Sequence, residues 1–570
     1  MRRGLRRLAS ALHGAAIAAC LLAGVPAQTA AAGEARGGMV VSAQRAASAA
    51  GVEILRQGGN AIDAAVAVGY ALAVVDPCCG NIGGGGFMLI RRPDGSTTFV
   101  NFRETAPAAA SADMYLDKDR KPIREASLRG YLAVAVPGTV KGLDLALARY
   151  GRLSRAAVMA PAIGLARDGF VLGEPDAAII ARSAAHLAAD PEAARIFLHA
   201  DRTPYETGER LVQPDLAATL DRIAREGPDG FYRGPVAAAL AAAMAAHGGL
   251  ITEADLAGYT AKESPPLTCD YRGYHIVSAP PPSSGGMVLC NSLNILSGYD
   301  IDPAGIRSAR AVHLAVEAMR ASFFNRNTWL GDPDFIANDG IPAILSPKSA
   351  ELARQLIKPD KATPSAVYEE LEGRTEKPQT THYSVVDREG NAVAVTYTLN
   401  GNFGAGVVAP ATGFLLNDEM DDFTVARGLP NQFGLIQGAA NGIMPGKRPL
   451  SSMAPTIVEK DGRAVYVLGS PGGPRIITAV LETLMNLIDF RLEPDSAVAA
   501  SRFHHQYLPD TVFYEKDALS PGTISALAAM GYSLREQPPW GAVELIAIAP
   551  DGTVVGVNDP RRPAGAALSD

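Results

Sequence analysis

The sequence predicts a layered protein of the α/β class (α+β layered), in which sheets are covered by helices. Strand-like and helix-like stretches occur in both halves of the 570-residue chain, and the pattern changes from mainly helical to strand-rich near residue 380. The composition, 48% hydrophobic and 19% charged, is typical of a globular protein. The net charge of −7 gives no indication of a nucleic-acid partner.

Residues 1–32 are predicted to be a secretory signal peptide. Four arginines precede a mostly apolar stretch, and small residues follow it, so we expect cleavage near residue 27 or 32. A membrane anchor is the alternative, but the apolar stretch is at the short end for a spanning helix and contains His13. We therefore expect an exported protein, in the periplasm or secreted, with no membrane span in its mature form.

The cysteines allow more than one interpretation. Cys20 lies in a sequence that resembles a lipoprotein cleavage box, but the apolar run continues beyond it, which disfavours lipidation. An oxidising compartment would permit a bridge between Cys269 and Cys290. Cys78 and Cys79 are adjacent, and neighbouring cysteines rarely bridge each other. The default expectation is that all four of these later cysteines are packing residues.

The first elements of the mature chain are predicted from capping and turn residues. Asn60 and Asp63 form a reciprocal capping pattern, so we expect a helix that begins at Asn60 and runs to Val75. The turn at 93–95 connects a strand that follows the glycine run 83–86 to a strand that ends on Arg103. The predicted elements are strand 40–42, helices 46–57 and 60–75, and strands 87–90 and 97–102.

The rest of the chain divides into a helical part and a strand-rich part. Residues 128–370 have a mainly helical pattern, interrupted by an irregular loop at 279–286. A helix is predicted to begin near Arg475. Strand pairs are predicted around the turns at 388–391, 460–462 and 550–552.

The hairpin after residue 380 brings threonines together. If Asp387 pairs with Ala392, Thr381 faces Thr398, and a register error of one residue places Thr398 beside Thr380. Cross-strand threonine pairs are common in ordinary sheets, so this proximity alone does not indicate catalysis.

Several common catalytic and binding motifs are missing from the sequence. It has no Gly-x-Ser-x-Gly elbow, and Gly446-Lys447 lacks the spacing of a P-loop. The run 83–86 precedes a strand and not a helix, which excludes a dinucleotide fingerprint. His504 and His505 form the only histidine pair, without further ligand spacing around it. We predict no metal site and no organic cofactor.

Ordered motifs extend over residues 40–560. They are 58–65, 83–87, 102–107, 137–140, 279–286, 331–335, 380–387, 417–423, 448–453 and 469–473. Together they resemble the gamma-glutamyltransferase (gamma-glutamyltranspeptidase) family of the N-terminal nucleophile hydrolase superfamily. The resemblance implies a four-layer αββα sandwich. It also implies autocatalytic cleavage between Gln379 and Thr380, which gives a large subunit, 33–379, and a catalytic small subunit, 380–570.

The resemblance implies a role for each matching residue. Thr380 would be the nucleophile, with its freed α-amino group as the base, and Thr398 would orient it. The backbone N–H groups of Gly472 and Gly473 would form the oxyanion hole. The residues implied in substrate binding are Arg103, Ser451 and Ser452 for an α-carboxylate, and Asp422, Glu419 and Asn400 for an α-ammonium.

Two details temper this assignment. Without the resemblance, Arg103 and Asp422 would be interpreted as an ordinary surface ion pair. Phe433 lies in a candidate lid, 427–438, where some bacterial members carry a tyrosine. Because phenylalanine has no hydroxyl group, we expect a looser gate.

The implied activity is that of a gamma-glutamyltransferase and glutathione hydrolase. Its partners would be glutathione, other γ-glutamyl compounds, and amino-acid or peptide acceptors. A cephalosporin or glutaryl acylase is one alternative, although it need not bind an α-ammonium, and a poly-γ-glutamate hydrolase is another. An alternative from a different functional class is an inactive exported binding protein.

Overall fold

The computed structural model describes residues 31–123, 125–337, 340–367, 380–426 and 428–570. The helices are α1 (Arg45–Arg56), α2 (Ala61–Val75), α3 (Thr139–Tyr150), α4 (Arg155–Asp168), α5 (Glu174–Leu187), α6 (Pro191–Phe197), α7 (Pro214–Glu226), α8 (Asp229–Tyr232), α9 (Gly234–Ala246), α10 (Glu253–Gly258), α11 (Gly285–Leu296), α12 (Ala309–Trp329), α13 (Ile341–Ile344), α14 (Pro347–Leu356), α15 (Arg475–Ile488), α16 (Pro494–Ala499) and α17 (Pro521–Ala529). The strands are β1 (Ala31–Ala35), β2 (Met39–Ser42), β3 (Gly85–Arg91), β4 (Thr97–Asn101), β5 (Phe170–Val171), β6 (Arg210–Leu211), β7 (Lys262–Ser264), β8 (Leu267–Tyr271), β9 (Tyr274–Ser278), β10 (Thr381–Val386), β11 (Ala392–Thr398), β12 (Thr456–Lys460), β13 (Arg463–Gly469), β14 (Phe503–His504), β15 (Val512–Glu515), β16 (Leu534–Gln537), β17 (Glu544–Ile548), β18 (Val554–Asn558) and β19 (Ala566–Ser569).

Two seven-stranded antiparallel sheets form the centre of the molecule. Their strand orders are β1-β18-β17-β13-β12-β9-β8 and β19-β2-β10-β11-β3-β4-β7. The two sheets pack face to face, with β10 and β11 against β13 and β17. Helices α1, α2 and α3 cover one outer face, and α11, α15 and α16 cover the other. The predicted four-layer αββα sandwich is confirmed.

The local signals explain why these elements form where they do. Asn60 accepts hydrogen bonds from the N–H groups of Ile62 and Asp63, and the Asp63 carboxylate accepts from the Asn60 N–H, so the predicted capping box is present. Every residue of α2 is buried, as is every residue of β10 and β11. β10 and β11 belong to an inner layer of the sandwich, covered on both faces, whereas α2 is buried because α1, α3 and α4 pack around it in the helical layer.

The register of the β10–β11 hairpin differs by one residue from the first expectation. Val386 pairs with Ala392 and Thr381 with Tyr397, so Thr380 continues the series opposite Thr398. The extra residue is in the turn, where the Asp387 N–H donates to the Asn391 carbonyl. The shift brings Thr398 directly beside Thr380.

Residues 128–370 are less uniformly helical than predicted. β7, β8 and β9 lie in this region, and β8 and β9 complete one central sheet at its edge. β8 alternates between half-buried and exposed residues over only five positions, which left little hydrophobic signal. The predicted loop 279–286 is also shorter, because α11 already begins at Gly285.

The expectation that the cysteines are only packing residues is wrong. Cys269 on β8 and Cys290 on α11 form a disulfide with an S–S distance of 1.99 Å, which ties the sheet edge to the helix above it. Cys78 and Cys79 form a second bridge, between neighbours in sequence.

Both central sheets combine strands from before and after residue 380. In the first sheet, β12, β13, β17 and β18 lie between β1 on one side and β9 on the other; in the second, β2 lies between β19 and β10. Residues 1–30 and Gln379 lie outside the described residues, and with them all but the last two residues of the predicted signal, 1–32, and one side of the cleavage site. Within the described ranges, no helix is long and apolar enough to span a membrane.

Candidate active site

Thr380 lies at the start of β10, in the space between the two sheets. It is 3% exposed, and its Oγ1 is 3.4 Å from the Oγ1 of Thr398. The Thr398 hydroxyl oxygen also accepts a hydrogen bond of 2.9 Å from the Asn400 N–H, which fixes its position. Thr398 is therefore held where it can orient a hydroxyl group on Thr380.

One pocket brings together nearly all the site residues predicted from the sequence. Gly472 is not among the residues that line it, although its neighbour Gly473 is. The lining residues are Arg103, Thr380, Thr398, Asn400, Glu419, Asp422, Phe433, Leu435, Ser451, Ser452, Met453, Gly473 and Ile476.

Gly472 and Gly473 form the turn between β13 and α15. Their φ angles are +139° and +55°, values that side chains other than hydrogen rarely allow. Their carbonyls accept from the N–H groups of Arg475 and Ile476, so the turn leads directly into the positive end of the helix. A backbone in this conformation, beside Thr380 in the same pocket, can stabilise a developing negative charge.

Arg103 is the centre of a buried charge cluster. It is completely buried, its Nη2 lies 2.6 Å from Asp422, and its Nη1 bonds Glu419 and lies 3.5 Å from Glu104. The interpretation as an ordinary surface ion pair is therefore wrong. Burial lowers the pKa of Arg103, but the carboxylates outweigh burial and hold the pKa above its usual range. Burial raises the pKa of Glu104 to about 7, against the opposing effect of Arg103.

Ser451 and Ser452 also line the pocket. The Ser451 Oγ accepts from the Met453 N–H at 3.0 Å, and the Ser452 Oγ accepts from the Arg326 guanidinium at 3.2 Å. A serine hydroxyl that accepts one hydrogen bond retains its own hydrogen for donation. Both serines are thus suited to donate to an anionic group in the pocket.

Among the acidic and amide side chains of the pocket, some hydrogen-bond acceptors remain unused. The Oε2 atom of Glu419 is buried and has no hydrogen-bond partner among the described residues. The Asn400 Nδ2 donates to the Asp418 carbonyl, which leaves its amide oxygen as an acceptor. Burial raises the pKa of Glu419 and of Asp422, and Arg103 opposes it. An ammonium group placed here would stabilise the charged carboxylates.

The described part of the candidate lid, residues 428–438, contributes Phe433 and Leu435 to the pocket and is tied to the acidic residues. Asn431 donates to the Asp422 carboxylate at 3.1 Å, and Gln432 donates its N–H to Asp421 at 2.7 Å. The Phe433 carbonyl accepts from Gln506 at 3.0 Å. A Cβ atom on Gly473 would lie 2.7 Å from the Phe433 ring, so this ring rests directly on the glycine turn.

Several residues of the site were missed in the sequence. Asp418 and Asp421 anchor the lid through Gln432, although they lie within the motif 417–423. Glu104 lies within 102–107. Their positions inside these motifs were the only indication in the sequence that they belong to the site. Their burial, which the structure shows, is what distinguishes them from surface acids.

Two clusters could have suggested a metal. The first is the histidine pair, in which His504 is buried and its ring nitrogens are hydrogen-bonded to Thr478 and Gln506. Among the residues that the structure describes, Asp76, Cys78 and Cys79 form one group close enough to share an ion, but the two sulfurs are bonded to each other.

The fold and the site define the class of the protein. A threonine at the start of an inner strand of an αββα sandwich, next to a glycine turn at a helix N-terminus, is the arrangement of an N-terminal nucleophile hydrolase.

Comparison with known proteins gives the family. The family model for gamma-glutamyltranspeptidase matches residues 47–569. A glutathione hydrolase proenzyme of Pseudomonas sp. (strain A14) is 52% identical over 559 residues, covering 96% of this chain and 97% of the relative. The chain belongs to the gamma-glutamyltranspeptidase family.

Solved structures agree with this assignment. The cephalosporin acylase of Bacillus halodurans has a TM-score of 0.83 at 26% identity, covering 94% of this chain and 96% of that chain. The gamma-glutamyltranspeptidase of Helicobacter pylori has a TM-score of 0.56 at 39% identity, covering 56% of this chain and 92% of that chain.

Proposed function

We propose that this protein is a gamma-glutamyltransferase and glutathione hydrolase that uses Thr380 as its nucleophile. The observation that carries the proposal is a single pocket in which Thr380 lies with a buried arginine, two donor serines and two buried carboxylates. A γ-glutamyl group has a carboxylate and an ammonium on its α-carbon, and the pocket offers partners for both.

The α-carboxylate is assigned to Arg103, Ser451 and Ser452. Arg103 has the fork geometry that suits a carboxylate, and the serines have free hydrogens to donate. The α-ammonium is assigned to Asp422, Glu419 and Asn400, because the unpaired Glu419 Oε2 needs a cationic or donor partner. These six residues would place the γ-carbonyl over Thr380.

The reaction follows from that placement. Thr380 Oγ1 attacks the γ-carbonyl carbon, while its α-amino group accepts the hydroxyl proton. The N–H groups of Gly472 and Gly473 stabilise the oxyanion. Collapse expels the amine, which receives the proton, and leaves a γ-glutamyl ester on Thr380. Water or the amine of an amino acid or peptide then attacks the ester and regenerates the hydroxyl.

The chemistry requires a free amino group on Thr380, because an amide nitrogen is not a base. We therefore propose autocatalytic cleavage between Gln379 and Thr380, giving subunits 33–379 and 380–570. The protein would act outside the inner membrane after removal of its signal. A cut near residue 27 would leave β1 intact, whereas a cut at 32 would remove its first two residues.

The acylase alternative is disfavoured by the charge of the pocket. A glutaryl donor has no α-ammonium, so it would leave Glu419 and Asp422 without a cationic group from the substrate. An inactive binding protein would have no need of the Thr380–Thr398 pair or the glycine turn.

The test is intact mass and turnover of the exported protein beside Thr380→Ala. We expect two chains from the wild type, the smaller beginning at Thr380, and one chain from the variant. Hydrolysis of glutathione and of glutaryl-p-nitroanilide is then compared. A single uncleaved wild-type chain without turnover contradicts the proposal, and a preference for the glutaryl donor supports the acylase.

A further inference from the structure

Arg326 is a buried cation behind the candidate substrate pocket. It lies on α12, is 1% exposed, and does not line the pocket itself. Its guanidinium donates to four neutral oxygens. They are the Oγ of Ser284 at 3.0 Å, the Oδ1 of Asn327 at 3.0 Å, the Oε1 of Gln437 at 2.8 Å and the Oγ of Ser452 at 3.2 Å. A buried charge with neutral partners is costly, and a functional role can explain it.

Arg326 and Arg103 differ in the groups that surround and compensate their positive charges. Arg103 is in contact with Glu419, Asp422 and Glu104, so its charge is already balanced before a substrate enters. A substrate carboxylate beside Arg103 would approach this negative cluster. In the part of the chain that the structure describes, Arg326 has no carboxylate among its hydrogen-bond partners, but Asp422 acts on it electrostatically. Burial lowers the pKa of Arg326 to about 10 against the opposing effect of Asp422, so it remains a cation at neutral pH.

Hydrogen bonds connect Arg326 to both serines of the carboxylate side. Its Nη2 donates to the Ser452 hydroxyl, which directs the hydrogen of that hydroxyl away from the guanidinium. Its Nε donates to the Ser284 hydroxyl, which in turn donates to the Ser451 carbonyl at 2.7 Å. A substrate carboxylate bonded to Ser452 would thus be only one hydroxyl group away from a full positive charge.

We propose that Arg326 is a positioning residue that makes the pocket selective for donors with an α-carboxylate. It polarises and orients Ser452. It also supplies a positive charge, because the charge of Arg103 is cancelled by the carboxylates around it. The inference rests on the proposed function, because it assigns the α-carboxylate to Ser451 and Ser452.

The test compares two donors that differ in one group. γ-Glutamyl-p-nitroanilide carries the α-carboxylate, and 4-aminobutyryl-p-nitroanilide lacks it but retains the ammonium. The measured quantity is the ratio of kcat/KM for the first donor to kcat/KM for the second. In Arg326→Met we expect this ratio to fall at least tenfold, mainly through KM of the γ-glutamyl donor. Arg326→Lys keeps the charge and should restore part of the ratio.

The matched control is Arg354→Met. Arg354 is a half-buried arginine on α14 that donates to the main-chain carbonyls of Asn294 and Ile295, away from the pocket. Its replacement should leave the ratio unchanged. Equal losses on both donors in Arg326→Met would overturn the inference, since a general structural defect affects both.

A second variant decides the question if Arg326→Met does not mature into two chains. Gln437→Glu keeps Arg326 but places a carboxylate where the Gln437 oxygen lies, 2.8 Å from Nη1. We expect the same fall in the ratio, and an unchanged ratio contradicts the inference. Absence of γ-glutamyl turnover in the wild type is a separate result, because it contradicts the proposed function whatever the variants do.

Discussion

Thr380 immediately precedes β10 and lies beside Thr398, the last residue of β11, with the two hydroxyl oxygens 3.4 Å apart. Because the pairing of β10 with β11 begins at the next residue, Thr381, the buried hairpin holds Thr380 close to Thr398. Thr398 is fixed a second time by the Asn400 N–H.

The first prediction concerns Thr398. In Thr398→Ala we expect kcat to fall by about 10- to 100-fold, because a hydrogen bond to a group that develops charge is worth about 1.5–3 kcal/mol. Thr398→Ser keeps the hydroxyl and should retain most activity. The measurement is kcat on γ-glutamyl-p-nitroanilide with purified two-chain protein. Equal activity of the alanine and serine variants would show that the hydroxyl is not needed.

The second prediction concerns the glycine turn. In Gly473→Ala we expect kcat to fall by about 10²-fold or more, because the added carbon would meet the Phe433 ring and displace an oxyanion donor. Gly462→Ala is the matched control. It also has a positive φ, +74°, but lies in the β12–β13 turn with open space around it. If both variants lose activity alike, backbone strain and not the site is responsible.

The third prediction concerns the lid. Phe433 rests on the glycine turn without a hydroxyl that could hydrogen-bond there, so we expect the lid to open more easily than one closed by tyrosine. Phe433→Tyr should lower KM for γ-glutamyl donors and reduce kcat if product release becomes slower. Steady-state kinetics on glutathione measure both. Unchanged KM and kcat would count against a gating role.

The fourth prediction concerns the Cys269–Cys290 disulfide. The bridge closes a loop of 21 residues, and its loss should cost about 3 kcal/mol in a chain-entropy estimate. We expect a lower thermal midpoint in Cys269→Ser/Cys290→Ser, measured by calorimetry. Reductant should lower the midpoint of the wild type toward that of the variant. A wild type that matches the variant without reductant would indicate that the bridge does not form.

The fifth prediction concerns acid stability. Burial lowers the pKa of His505 to about 4 and that of His382 to about 3, below the usual value of about 6.5. A histidine held neutral contributes stability that is complete above pH about 6.5 and is lost as the pH falls to the lowered pKa. We therefore expect the free energy of unfolding to decline between about pH 6.5 and 4, by roughly 1.4 kcal/mol per histidine and pH unit.

The variant for this measurement is His505→Gln. Gln can donate to Asp510 and accept from the Tyr507 N–H, as His505 does, but it has no proton to gain. The free energy of unfolding of this variant should fall less steeply with decreasing pH than that of the wild type. His247→Gln, at an exposed position, should keep the wild-type decline. A His505→Gln profile parallel to the wild type would contradict the assignment.

Local signals predicted the elements that frame the site. The Asn60 cap gave the start of α2, the glycine turn gave the start of α15 at Arg475, and Asp-Gly turns gave the outer hairpins. The hairpin register was wrong by one residue, because a turn length cannot be read from the residues alone. The roles of the site residues came from the family resemblance, and they remain predictions.

Other features depend on the distant partners of a residue. Arg326 has the sequence environment of an ordinary helix residue, and only the packing of α12 against the pocket shows that it is buried. The strands β7 and β8 have few buried residues because they lie at sheet edges. The distance between Cys269 and Cys290 is set by where α11 crosses β8, which no local pattern determines.

The mixing of strands in the two sheets has a consequence for how the protein is made. Cleavage before residue 380 would leave two polypeptides that share both seven-stranded sheets, so neither piece could complete either of these sheets alone. The uncleaved precursor would fold as one molecule, at a rate independent of concentration. A denatured mature enzyme would have to find its other half in solution, and its recovery should become less efficient on dilution. The two halves of each active molecule would therefore assemble efficiently only while they are still joined in one chain.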